Sequence, residues 1–140
     1  MGFDFGTQKI GVAIGQKLTK TATPLPEIPA KDGQPRWETV AALITEWQPD
    51  AFVVGIPLNE DGTDNTLTKR ARKFGNRLHG RFGLPLFTTN EHLSSYDARD
   101  QIQQYSGRAA KSNRQIDSVA AALIIETWFS EPEPTTGHNP

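Results

Sequence analysis

The 140-residue sequence has no cysteine, a single methionine and three histidines. Without a thiol there is no disulfide framework, no cysteine nucleophile and no thiolate-bound zinc, and a reducing compartment suits such a chain. His79, His92 and His138 are too few and too scattered to suggest an imidazole metal site. Long hydrophobic runs are also missing. No stretch approaches 18 consecutive apolar residues, and Met1-Gly2-Phe3-Asp4 carries neither a basic leader nor an apolar segment, so neither a membrane span nor a cleaved export signal is expected. The expectation is a soluble, cytoplasmic protein with no membrane partner.

Net charge is nearly absent as well, at -1, but it is unevenly distributed. Residues 69–114 carry ten Lys or Arg against three acids, whereas the rest of the chain holds five bases and thirteen acids. A basic middle therefore lies between acidic ends, a pattern that matters for polyanionic partners. With 36% hydrophobic and 22% charged residues the chain can bury one core, and its length suits one domain. Residues 130–140, Ser-Glu-Pro-Glu-Pro-Thr-Thr-Gly-His-Asn-Pro, have three prolines, two acids and no large apolar side chain. They read as a disordered tail, leaving residues 1–129 as the domain.

Periodicity orders the elements. Gly2 to Phe5, Lys9 to Ile14 and Thr19 to Pro24 read as three strands, the first two joined through a turn between Gly6 and Gly11. Trp37, Val40, Ala41, Ile44 and Trp47 share one face of a helix over Arg36 to Gln48. Ala51 to Gly55 is a short buried strand that Pro57 closes, and Leu67, Ala71, Phe74, Leu78 and Phe82 predict a helix over Thr66 to Phe82. Pro85 to Thr89 gives a last strand and Leu93 to Gln104 a third helix. A fourth begins near Ile116, where Ser112 and Gln115 have the spacing of a capping box. The three tryptophans fall at core spacing. Three antiparallel strands followed by α-crossovers predict an α/β fold with a mixed five-stranded sheet flanked by helices.

That order brings three distant carboxylates to the ends of strands and helices: Asp4 in the first strand, Glu91 just past the last strand and Asp117 early in the last helix. An ionised Asp4 inside Phe3-Asp4-Phe5 is costly unless compensated. A hard divalent cation, Mg2+ or Mn2+, suits an all-carboxylate set. By residue type alone Asp4 is equally an acid that hydrogen-bonds the following turn, Glu91 a solvated loop acid and Asp117 a helix N-terminal acid stabilised by the dipole. Lys69, Arg70, Arg72, Lys73 and Arg77 occupy the face of their helix opposite the apolar stripe, and Arg108, Lys111 and Arg114 lie in the basic loop before Asp117. Such a face is either merely solvated or a phosphate-binding surface.

Four motifs in order carry a resemblance: Asp4-Phe-Gly-Thr-Gln-Lys-Ile-Gly-Val-Ala-Ile-Gly15, Val54-Gly-Ile-Pro-Leu58 with Asp61-Gly62, Glu91-His-Leu-Ser-Ser95 with Ala98, and Asp117-Ser-Val-Ala-Ala121. From Asp4 to Trp128 the chain resembles the YqgF (RuvX) family of Holliday junction resolvase-like proteins, regarded as nucleases for the small-subunit ribosomal RNA precursor. The resemblance implies a ribonuclease H-like fold and Asp4, Glu91 and Asp117 as catalytic metal ligands. It further implies hydrolysis of phosphodiesters at the 5′ end of precursor 16S ribosomal RNA. Around the second acid the chain departs from the family pattern: Asn90-Glu91-His92 stands where the family usually reads Asp-Glu-Arg, and His lacks the bidentate phosphate fork of Arg. On this reading Lys69, Arg70, Lys73, Arg77, Arg108, Lys111 and Arg114 bind structured RNA. Cleavage of DNA junctions is the alternative within the same chemistry, and a catalytically weak RNA-binding module in ribosome assembly is the alternative outside it. Asp4-Phe-Gly-Thr also resembles the phosphate loop of actin-like ATPases, but those clasp a nucleotide between two such domains and this chain supplies one.

Overall fold

Alternating apolar residues commit the first third of the chain to strands: β1 (Gly2–Asp4), β2 (Lys9–Gln16), β3 (Thr21–Lys31) and the two-residue β4 (Gln34–Pro35). The computed structural model describes residues 1–92 and 116–130, and α1 (Trp37–Trp47), β5 (Phe52–Leu58), α2 (Thr66–Phe82), β6 (Leu86–His92) and α3 (Ile116–Ser130) complete it. The sheet order is β4-β3-β2-β1-β5-β6. Strands β1 to β4 pair antiparallel, whereas β1 with β5 and β5 with β6 pair parallel.

The sheet has six strands rather than five, because the third strand does not stop at Pro24. It continues through Pro26 and Pro29 to Lys31, where its last two residues pair with β4. Over most of its length β3 has a partner only on the β2 side, so a proline without an N–H need cost no ladder bond there. The register with β2 shifts between Ile10 and Val12, opposite Pro26 and Glu27. Strand β5 likewise runs through Pro57 to Leu58, and β6 runs on to His92, so Glu91 lies within a strand and not beyond it. The helix expected over Leu93 to Gln104, the Ser112 to Gln115 capping box and the tail from residue 131 lie outside the described residues.

Helix α2 has the bounds its sequence predicts. Asn65 Oδ1 accepts the Thr68 N–H and Thr68 Oγ1 accepts the Asn65 N–H, both at 2.9 Å, while Gly83 closes the other end at φ 73°. Left-handed backbone at that point favours glycine.

Strand alternation separates two cores. One face presents Phe3, Val12, Val54 and Ile56 to α1 and α2, where the Phe3 ring meets Phe52 and Phe74 edge-on at 5.9 and 5.5 Å and Trp37 stacks on Phe74 at 6.0 Å. Each such aromatic or aliphatic side chain contributes about 1.5–3 kcal/mol on burial, so this larger cluster holds the fold together. Trp47 is not part of it: the residue is 41% exposed, contrary to its core-like spacing. The opposite face carries small residues, Gly2, Ala13 and Gly15, against which Ala121, Ala122 and Ile125 of α3 pack. A Cβ on Gly2 or Gly15 would fall 2.4 or 2.5 Å from Ile125, so α3 sits as close to the sheet as glycine permits.

Candidate active site

Asp4 is the last residue of β1 and pairs with Gly11. On its other side Phe3 pairs with Val54, which brings Asp4 level with Gly55. Because side chains alternate, Asp4 shares the α3 face with Gly2 and is turned away from the aromatic core that holds Phe3 and Phe5. It is half-buried.

Glu91 reaches the same face from the third parallel strand. Gly55 pairs with Thr89 and Pro57 with Glu91, and a Cβ on Gly55 would lie 3.2 Å from Glu91 Oε2 and 2.5 Å from Ile124 Cδ1. The carboxylate therefore folds back over Gly55, beneath α3. Burial there pushes its pKa up from 4.5 to about 7, and desolvation alone is responsible. Among the described residues no cation or hydrogen-bond donor offsets the cost of ionising it. Asn90, the position that departs from the family pattern, is exposed and by alternation faces away from Glu91.

The third predicted acid is placed by its backbone. Residue 117 is the second of α3, and its side chain lies outside the described residues. Its neighbour Ser118 is fully buried, and the Ser118 Oγ accepts the Val12 N–H at 3.2 Å. Val12 follows Gly11, the partner of Asp4, so this bond fixes the first turn of α3 at the Asp4 end of the sheet. Sequence reasoning did not single out Ser118 or Gly55. A glycine inside the apolar run Phe52-Val-Val-Gly-Ile was the available signal, since such a glycine often marks a close approach.

The segment between β5 and α2 is tied to the same edge. Asp61 Oδ1 accepts the Thr63 hydroxyl at 2.6 Å and the Thr63 N–H at 3.0 Å, and these bonds lower the Asp61 pKa. Thr68 Oγ1 donates to the Pro57 carbonyl, joining the cap of α2 to the residue paired with Glu91.

The basic residues are placed differently from the acids. Lys69, Arg70, Lys73 and Arg77 all belong to α2, which covers the other face of the sheet. Arg70 is held by Asp32, donating to its Oδ1 at 2.9 Å and its carbonyl at 2.8 Å, and Arg72 pairs with Asp64. Arg108, Lys111 and Arg114 lie outside the described residues. Among the described residues no cluster of three or more His, Cys, Asp or Glu is close enough to hold a metal, and no helix is long and apolar enough to cross a membrane.

Comparison with known proteins gives this geometry a context. A model of the RuvX family, described as Holliday junction resolvase, matches residues 1–131. A protein of Shewanella oneidensis named "Putative pre-16S rRNA nuclease" is 54% identical over 129 residues, 92% of each chain, and one of the same name from Aeromonas salmonicida is 53% identical over 131 residues, 94% of each. Among solved structures, Thermus thermophilus RuvC superposes with a TM-score of 0.51 over 91% of this chain and 92% of its own. The fowlpox virus resolvase, solved with Holliday junction DNA, does so with a TM-score of 0.56 over 93% and 97%. At 14% identity these two likenesses show the fold, which is ribonuclease H-like as the sequence motifs implied.

Proposed function

The chain belongs to the RuvX family, and from that premise we propose that it is a divalent-metal-dependent nuclease that hydrolyses phosphodiesters at the 5′ end of precursor 16S ribosomal RNA. The observation that carries the catalytic part is Glu91: a carboxylate withdrawn from water, without a compensating donor among the described residues, on the face and edge that Asp4 occupies. A buried acid of this kind is costly for the fold alone and is suited to a cation. The donor set contains only carboxylates and no thiolate, which fits Mg2+ or Mn2+.

Asp4 from β1 and Glu91 from β6 would hold the metal, with Asp117 joining them from α3. A bound pair of such ions supplies an activated water and neutralises charge on the leaving oxygen of an in-line displacement. The protein contributes position. Strand pairing fixes Asp4 and the Glu91 backbone, Gly55 leaves room for the Glu91 carboxylate, and Ser118 holds the first turn of α3 against β2. The buried Ile124 side chain of α3 approaches the same point over Gly55. The names of the relatives support precursor 16S ribosomal RNA as substrate, and a cytoplasmic location agrees with that reading.

Asp4→Asn removes one ligand while keeping shape and hydrogen-bonding capacity, so it leaves the fold intact and abolishes cleavage of a precursor 16S 5′ fragment in Mg2+ or Mn2+. Undiminished cleavage by that variant would sink the proposal. The family description favours a second reading, a DNA junction endonuclease. Side-by-side assays of the RNA fragment and a four-way DNA junction with the same preparation separate the two.

A further inference from the structure

A notch on the far side of β1 from the carboxylates has no part in the chemistry above. Its volume is about 110 Å³, and its walls are Phe5, the β3–β4 hairpin tip at Asp32 and Gly33, and Arg70, Lys73 and Arg77 of α2. Phe5 directly follows Asp4, so the notch opens at the same end of β1 as the candidate active site but on the α2 side. The space would take a phosphate-sized group in place of several waters.

The walls are built rather than incidental. Gly33 has φ 82° and donates its N–H to the Thr7 carbonyl at 2.8 Å, which clamps the hairpin tip to the turn after β1. A Cβ there would lie 3.0 Å from the Phe5 ring and 3.2 Å from Arg70 Nη2, so only glycine lets both approach. Arg70 in turn is locked by its two bonds to Asp32. With that pair neutral, Lys73 and Arg77 remain, and among the described residues neither makes an ion pair. Spaced i and i+4 on a helix, they are neighbours that repel. No acid occurs anywhere in α2 to relieve them. Two like charges facing one small cavity are arranged for an anion.

We propose that this notch seats a backbone phosphate of the RNA substrate, held by Lys73 and Arg77, so that the strand crosses the end of β1 between the carboxylates on one face and these cations on the other. The inference rests on the nuclease reading. It assigns Arg70 to the wall and Lys73 and Arg77 to the ligand, where the sequence offers only an undivided basic face.

The test measures binding of a labelled precursor 16S 5′ fragment in EDTA at 50–200 mM KCl, together with its cleavage in Mg2+. Each phosphate contact to a single strand contributes about 0.7 to the slope of log affinity against log salt. The double variant Lys73→Ala/Arg77→Ala removes that one phosphate contact, so it should flatten the slope by about 0.7 and weaken binding about fivefold at 100 mM salt. Its melting temperature should match that of the wild type, because both side chains reach solvent. Lys17→Ala, an exposed cation just past β2 at the opposite end of the sheet, should leave the slope unchanged. A double variant with the wild-type slope, or a Lys17→Ala effect equal per charge, overturns the notch while leaving the nuclease reading in place. Wild-type protein that neither binds nor cleaves the RNA overturns both.

Discussion

Glu91 shows what a single buried acid costs a fold. Its pKa is about 7 in the folded protein and 4.5 when solvated, so between those values the folded state binds more protons than the unfolded one. Stability then falls as pH rises through that window, by on the order of 3 kcal/mol in total for the metal-free protein. Glu91→Gln has no such titration. In EDTA the variant should therefore gain on the wild type in urea melts from pH 4.5 to pH 7 and keep the advantage at pH 8, while losing cleavage. Parallel stability curves for the two proteins would mean that the carboxylate is solvated in solution. At this scale Asp4 was legible in the sequence, because an acid between two phenylalanines is anomalous by itself. The burial of Glu91 was not legible, since it depends on a glycine 36 positions away and on the isoleucine packed above it.

Among the elements, α2 was readable to the residue because its punctuation is local: Asn65 and Thr68 satisfy each other's backbone donors and Gly83 adopts the left-handed turn. Strand β3 was not, since three prolines read as stops when it is unknown which side of the strand lies open. The union of β5, β6 and α3 is the element-scale feature that the proposed chemistry depends on. Gly55→Ala puts a methyl group 2.5 Å from Ile124 Cδ1 and 3.2 Å from Glu91 Oε2. The isoleucine tip can shift, so overpacking costs about 1–3 kcal/mol, a moderate loss of melting temperature. The carboxylate has no such freedom if it is to hold a cation. Cleavage should fall at least tenfold in the variant under conditions where it is fully folded, as circular dichroism would establish. Full activity in folded Gly55→Ala would mean that Glu91 works from another position.

On the scale of the whole molecule, the net charge of -1 conceals opposite assignments of the two sheet faces. Asp4 and Glu91 share the face with α3, and the basic helix covers the other, so the two sets adjoin around the end of β1. Metal binding at the α3 face, as proposed, would couple elements from both ends of the chain and so be linked to global stability. At a free metal concentration 100 times Kd the folded state gains about 2.7 kcal/mol, seen as a rise of several degrees in melting temperature in Mn2+ relative to EDTA. Asp4→Asn should abolish most of that rise. An equal rise in both proteins would place the ion elsewhere.

By itself the sequence determined the helix and strand periodicities, the acid that interrupts β1, the exclusion of thiol chemistry and the family motifs, because each is carried by neighbouring residues or by composition. Only the tertiary structure decided which side chains share a face. Parallel pairing of β1, β5 and β6 puts Asp4 and Glu91 on one side, and glycines let α3 close over them. The same pleat puts α2 and its cations on the other side. Alternation sends adjacent residues in opposite directions, so proximity along the chain says little about proximity at the site.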